Sequence, residues 1–162
     1  MRETEIIGQP YELAVTREDG RIVEVRITAV GDGGELTAET ISQAHRALSD
    51  RLRQEEFRAR RSSQREASRS ALEALKAAST DKITDAYLAH LAAAYVAILD
   101  GASGVEARGV MSILATATGR SASTVKMHVV KARKEGFLTE TGGGKAGGDL
   151  TDKARKLTES AE

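Results

Sequence analysis

The stretch with the most distinctive spacing of residue types is 110–138, VMSILATATGRSASTVKMHVVKARKEGFL. Ala115, Gly119 and Val125 follow one another there at intervals of four and six residues. In a helix-turn-helix, a small residue lets the two helices cross closely, glycine adopts the left-handed turn, and an apolar residue closes the core between them. The spacing therefore predicts two helices joined by a tight turn at Gly119.

The second of these helices is predicted to have one apolar face and one polar, basic face. Ser121 is a favoured N-cap residue, and Val125, Val129 and Ala132 at helical spacing predict the buried face. In helices that enter a DNA groove, residues near the N-terminal end reach base edges, and basic residues hold phosphates. The residues expected to contact bases are Ser121, Ser123, Thr124, Lys126 and Met127. The residues expected to contact phosphates are Arg120, Lys131, Arg133, Lys134 and Lys145. His128 lies beside the predicted buried face and is a further candidate for a phosphate contact.

The residues after the second helix predict a short hairpin. Phe137, Leu138 and the threonines that follow are typical of a strand, and 149–151 of a returning strand. Between them, the glycine-rich segment 142–148 is typical of a flexible loop. Lys145 would lie at the tip of this loop, beside the DNA backbone or the minor groove.

A last helix is predicted from Asp152 to Leu157, with Thr151 as its cap and with Ala154 and Leu157 facing inward. The order helix, turn, helix, hairpin, helix is that of a winged helix-turn-helix. The plain alternative for 110–138 is a helical hairpin with a solvated basic face, because the Ala-Gly-Val spacing alone is degenerate.

The N-terminal part of the chain predicts a β-hairpin covered by a helix. Residues 11–16 and 22–27 alternate apolar and polar side chains, and Asp19-Gly20 between them is typical of a tight turn. A helix is expected to begin after Thr37 as its N-cap. The apolar residues expected to pack on the hairpin are Ile41, Ala44, Leu48 and Leu52.

Farther along, the apolar stripe fades between Arg53 and Ser70, which indicates a solvated, charged connector or, alternatively, an arm along the DNA backbone. A helix with a wide apolar face is expected after an N-cap at Thr80, ending at a left-handed Gly101. Its expected inward residues are Tyr87, Leu88, Leu91, Tyr95, Ile98 and Leu99. We therefore predict an N-terminal domain over 1–60, a charged helical linker over 61–79 and a winged helix-turn-helix domain over 80–162.

Composition supports a mainly helical α+β protein. The chain has 162 residues, an apolar fraction of 40% and an aromatic fraction of 3%, so its core is built from Ala, Leu, Val and Ile. The formal net charge of zero hides local blocks: residues 1–40 carry a net charge of −5, and residues 108–145 carry +5. Local basic surface is what nucleic acid requires, so a neutral total does not exclude DNA binding.

Other chemistry finds little support in the sequence. There is no cysteine, which excludes disulfides, thiolate metal sites and cysteine nucleophiles. His45, His90 and His128 fall in different predicted elements, away from any carboxylate at ligand spacing. No apolar run is long enough for a membrane span. We expect no enzyme, no cofactor, no metal and no membrane partner, and a cytoplasmic, nucleoid-associated protein.

The segment STVKMHVVKARKEGFLTETGGGKAGGDLTDKA resembles the C-terminal part of small actinobacterial proteins that have an N-terminal β-rich segment and a C-terminal helix-turn-helix. The matching residues are Ser123, Thr124, Val129, Ala132, Arg133, Gly136, Leu138, Thr139, Gly144, Gly147, Gly148, Leu150, Thr151 and Ala154. The run from Leu150 to Ala154 resembles the wing-to-helix junction of MarR-type proteins. The run from Ser123 to Val129 resembles the recognition helix of LuxR-type regulators. These resemblances imply DNA binding, without a particular operator or ligand.

The leading interpretation is a sequence-specific transcriptional regulator that binds double-stranded DNA, with a homodimer as the expected assembly because paired half-sites usually need two recognition helices. A protein-interaction module on a winged-helix scaffold is the alternative. An RNA-binding accessory protein is a third interpretation. It is less well supported, because the sequence lacks interleaved aromatic residues for base stacking.

Overall fold

The computed structural model describes residues 2–7, 11–30, 35–101, 109–141 and 147–159. Within them, three strands come first: β1 (Arg2–Ile7), β2 (Tyr11–Glu18) and β3 (Arg21–Ala29). Five helices follow: α1 (Ala38–Ala78), α2 (Asp85–Gly101), α3 (Val110–Thr118), α4 (Ala122–Lys134) and α5 (Asp152–Glu159). The described chain is mainly helical with an N-terminal antiparallel sheet, which confirms the predicted α+β class.

The chain divides into two compact units, Met1–Arg58 and Ala59–Glu162. Residues 61–79, expected to be a charged helical linker, form the C-terminal part of α1 up to Ala78. Leu75 in this segment is fully buried in the hydrophobic core of the second unit. The end of α1 is therefore part of that core.

The first unit is built on an antiparallel sheet with the order β1-β2-β3. The predicted β2–β3 hairpin is confirmed, with Asp19 and Gly20 at positive φ in the turn. We did not predict β1, which pairs along β2 from Arg2 opposite Glu18 to Ile7 opposite Leu13. Three of its six residues are charged, so its sequence shows little of the apolar alternation by which strands are recognised.

One face of the sheet packs on α1. Tyr11, Leu13 and Val15 alternate along β2, so they share a face, and all three are buried together with Ala44 of α1. Leu48 packs against the same cluster. This confirms that a helix covers the hairpin, which a lone two-stranded hairpin requires for stability.

The start of α1 follows its predicted cap, but the apolar stripe is shorter than expected. The backbone N–H of Thr40 donates to Oγ1 of Thr37 at 3.2 Å. Ile41, however, keeps 46% of its surface exposed. The core of the first unit therefore reaches α1 from Ala44 onward.

The second unit is centred on α2, whose predicted apolar face is buried. Its N-cap differs from the prediction: Thr84 Oγ1 accepts from the Tyr87 N–H at 3.1 Å. The Thr80 hydroxyl instead donates to the Lys82 carbonyl at 3.0 Å, so the chain bends before the helix begins. Gly101 also differs, because it remains helical and does not take a positive φ.

Candidate nucleic-acid interface

The turn between α3 and α4 has the predicted glycine geometry. Gly119 is the C-cap of α3, with φ of 66° and ψ of 18° in the left-handed region. The backbone N–H of Arg120 donates to the Ala115 carbonyl at 3.1 Å. A side chain at position 119 would strain the backbone at this φ, so the turn favours glycine.

Ser121 caps α4 as predicted. Its Oγ accepts from the Thr124 N–H at 3.1 Å, and it lies 2.9 Å from Ser123 Oγ and 2.8 Å from Thr124 Oγ1. The Ser121 hydroxyl is therefore occupied with satisfying the first turn of the helix. Of these three residues, Ser121 and Ser123 are exposed and Thr124 is half-buried.

The inner face of α4 is also as predicted, because Val125, Val129 and Ala132 are buried in the core of the second unit. His128 joins this face and is buried as well. This position makes the expected phosphate contact of His128 less favourable, since little of its ring is accessible.

His128 is held there by a contact with α2. The Tyr87 hydroxyl lies 2.9 Å from Nδ1 of His128, and the two rings meet edge to face at a centroid distance of 5.5 Å. Burial raises the pKa of Tyr87, an effect that the nearby Arg120 charge opposes. Burial also lowers the pKa of His128 from its ordinary value of 6.5, and the positive charges of Arg120 and Lys131 lower it further.

This shift predicts acid sensitivity of the second unit. The folded protein resists protonation of His128 more than the unfolded chain does, so its stability is at full value above pH 6.5 and declines as the pH falls below that value. His90 on α2 acts in the same direction, because burial lowers its pKa too. We expect His128→Gln to reduce the slope of unfolding free energy against pH between roughly pH 7 and pH 5, measured by urea denaturation.

The control for this experiment is His45→Gln, because His45 is exposed on α1. It should leave the slope at the wild-type value. Identical slopes for the wild type and both variants would show that His128 does not contribute to the acid response.

Arg120 packs across the turn. Its guanidinium carbon lies 5.4 Å from the centre of the Tyr87 ring, and Nη2 donates to the Thr80 carbonyl at 2.5 Å. Its Nε is buried without a partner among the described residues. Arg120 therefore has a structural contact through Nη2 and the Tyr87 ring, in addition to the phosphate contact predicted for it.

Arg133, predicted to contact a phosphate, is half-buried and already holds contacts within the protein. Nη2 donates to the Gly147 carbonyl at 2.7 Å and to the Tyr95 hydroxyl at 3.4 Å. The Tyr95 hydroxyl accepts from the Gly147 N–H at 3.1 Å. Arg133 and Tyr95 together fasten the chain at Gly147 to α2 and α4.

Within the described residues on either side of 142–146, the predicted hairpin shows one antiparallel bridge, between Leu138 and Leu150. The Thr139 N–H donates to the Asp149 carbonyl at 2.9 Å, and the Thr151 N–H donates to the Phe137 carbonyl at 3.2 Å. Phe137 and Leu138 are both buried in the core, so the bridge lies against the interior of the second unit. Lys145, the predicted wing tip, lies outside the described residues.

The last helix is as predicted. The Ala154 N–H donates to Oγ1 of Thr151 at 3.3 Å. Ala154 is fully buried, and Leu157 packs against the same core. This helix packs against α2 and completes the core of the second unit.

The remaining predicted contacts lie on the exposed face of α4. Lys126, Lys131 and Lys134 are exposed, and so is Met127 with 66% of its surface accessible. They lie on the side of the helix away from Val125 and Val129. The result is a helix with a buried apolar face and an exposed face of short polar, apolar and cationic side chains.

Two features are absent from the described residues. No cluster of three or more histidine, aspartate or glutamate side chains is arranged to hold a metal ion. No helix among them is long and apolar enough to cross a membrane. Comparison of the chain with protein-family models, with curated proteins and with solved structures gave no match.

Proposed function

We propose that this protein is a sequence-specific DNA-binding transcriptional regulator that acts through a winged helix-turn-helix in its second unit. The observation that carries the proposal is the geometry of α3, the left-handed Gly119 and α4. This arrangement buries one face of α4 against α2 and leaves the other exposed. An exposed second helix of this kind fits the major groove of B-DNA.

The exposed residues of α4 divide into two roles. Ser123, Lys126 and Met127 lie in the first two turns, which face base edges when such a helix docks by its N-terminal end. Lys131 and Lys134 lie in the last turns, where ammonium groups can pair with phosphates. Ser121 and Thr124 are also expected to contact bases, but we assign their hydroxyl groups mainly to the N-cap of α4.

Two single substitutions test this division. Lys126→Ala is expected to relax sequence preference, because a base contact discriminates by about 1–3 kcal/mol. Lys134→Ala is expected to weaken binding to all duplexes about equally and to reduce the salt slope by about 1. Fluorescence anisotropy across a salt series measures both quantities, on a duplex that carries the preferred sequence and on one with that sequence scrambled. Equal losses of affinity on every duplex for both variants would contradict the division.

The primary experiment is selection from fragmented genomic DNA of the source organism. The full chain is incubated with the fragments across a salt series, and the retained DNA is sequenced. Enrichment of one motif that survives ~150 mM salt is the expected result, because nonspecific phosphate binding weakens steeply with salt. Loss of all binding without enrichment would overturn the proposal.

A protein-interaction module is the second candidate, and the apolar side chains on α4 favour it. Met127 is 66% exposed and Val130 is 51% exposed on the same helix. Met is common at interaction surfaces that adapt to several partners. In that case the protein would show no salt-dependent affinity for DNA.

A further inference from the structure

A groove in the second unit lies apart from the exposed face of α4. It runs between the C-terminal part of α1, the end of α2 and α3, and has a volume of about 450 Å³. Sites for small molecules typically have volumes of about 300–1,000 Å³. The groove is therefore large enough for a small organic ligand.

The floor of the groove is apolar and is held in place by the helices that form it. Leu72, Ile98 and Ile113 line it, and Ile113 keeps 42% of its surface exposed. The Ser68 hydroxyl donates to the Ala97 carbonyl at 2.8 Å, which joins α1 to α2 beside the groove. Ile98 is buried and Leu72 half-buried, so Ile113 supplies most of the accessible apolar surface, and covering that surface with an apolar body is favourable.

One wall of the groove is strongly cationic. Arg61, Arg65 and Arg69 line it at intervals of four residues on α1, so they project on one face, about 6 Å apart along the axis. A single carboxylate, that of Glu73, lines the groove with them. Within the described part of the chain, neither Arg65 nor Arg69 forms an ion pair. Two neighbouring guanidinium groups suit a carboxylate, which each can bind through paired N–H donors.

We propose that this groove binds a small organic anion with an apolar body. Arg65 and Arg69 hold the carboxylate, and the apolar body lies on Leu72, Ile98 and Ile113. An inorganic anion would leave the apolar floor in water, and a neutral apolar molecule would leave the guanidinium groups without a partner. The proposal does not depend on DNA binding, because none of the lining residues lies on α4.

The test uses decanoate as the probe and decanol as its uncharged match, each titrated into the full chain below micelle-forming concentrations. Backbone amide shifts are followed by two-dimensional ¹H–¹⁵N NMR. We expect saturable shifts with decanoate at the amides of Leu72, Gly101 and Ile113, and much weaker binding of decanol. Arg65→Glu with Arg69→Glu is expected to weaken decanoate binding about tenfold or more, because two charge-assisted contacts are lost and two repelling carboxylates replace them.

The matched control is Arg53→Glu with Arg60→Glu, which changes the net charge equally at exposed positions of α1 that do not line the groove. It is expected to retain decanoate affinity. Ile113→Asn keeps the charges and tests the floor, with an expected loss of affinity for decanoate. The absence of saturable shifts, equal binding of decanol, or equal losses in the two double variants would each overturn the proposal. DNA binding by the same samples reports on the proposed function independently.

Discussion

Replacing Lys126, Lys131 and Lys134 together by glutamate is expected to lower the affinity for duplex DNA by about a hundredfold or more near ~150 mM salt. The three lysines are exposed on α4 and lie outside the core. Each ammonium group near the duplex displaces condensed counterions, so losing three should reduce the salt slope by about 2–3. Glutamate at these positions also repels the DNA phosphates, which lowers the affinity further. Anisotropy titrations across a salt series measure both the affinity and the slope.

The control for this variant carries the same charge change elsewhere. Arg21, Arg46 and Arg53 are exposed in the first unit, and their joint replacement by glutamate should cost far less affinity. The substitutions on α4 should lower the unfolding temperature only modestly, because these side chains lie outside the core and the cost is that of acidic groups in the last turn of the helix. Similar losses in the two triple variants would mean that overall charge, and not α4, drives the binding.

Replacing Gly148 by alanine is expected to destabilise the second unit by about 3 kcal/mol. Gly148 has φ of +112°, and an added Cβ would lie 2.9 Å from the Thr139 carbonyl oxygen. That distance is too short for a Cβ atom, and the oxygen belongs to the backbone. Relief would require the chain to separate at the bridge between Leu138 and Leu150, which lies against the buried Phe137.

Gly147→Ala separates the effect of backbone strain from the effect of the close approach at position 148. Gly147 also has a positive φ, of +138°, but an added Cβ would meet only a methyl group of Thr141 at 3.8 Å. It should cost about 1–2 kcal/mol from backbone strain alone. Urea denaturation followed by circular dichroism measures both variants, and equal destabilisation would show that the close approach at Gly148 does not matter.

Features that depend on a few neighbouring residues could be predicted from the sequence. Gly119 at the turn, the Ser121 and Thr151 caps and the Asp19-Gly20 turn all occur where expected. Each is decided by the conformational preference of one residue and by hydrogen bonds within one helical turn. The buried stripe of α4 follows as directly from its helical period.

Tertiary packing decided the direction in which polar side chains near that stripe point. His128 is 41 residues from Tyr87 in the chain, and Arg133 is 38 residues from Tyr95. Both lie beside the apolar stripe, where the helical period alone does not say whether a polar group finds a partner inside. Burying a polar group costs less when it finds such a partner, and α2 supplies one in both cases.

The sequence by itself determined a mainly helical chain, a hairpin under a helix and two helices joined by a glycine turn, the second with a basic exposed face, because composition, periodicity and turn chemistry are local properties. Only the tertiary structure decided which basic residues remain available on α4. It placed Arg120 and Arg133 in contacts that span the second unit and left the three lysines exposed. The arginine-lined groove likewise exists only because α1, α2 and α3 meet there, and no local pattern specifies how distant helices come together.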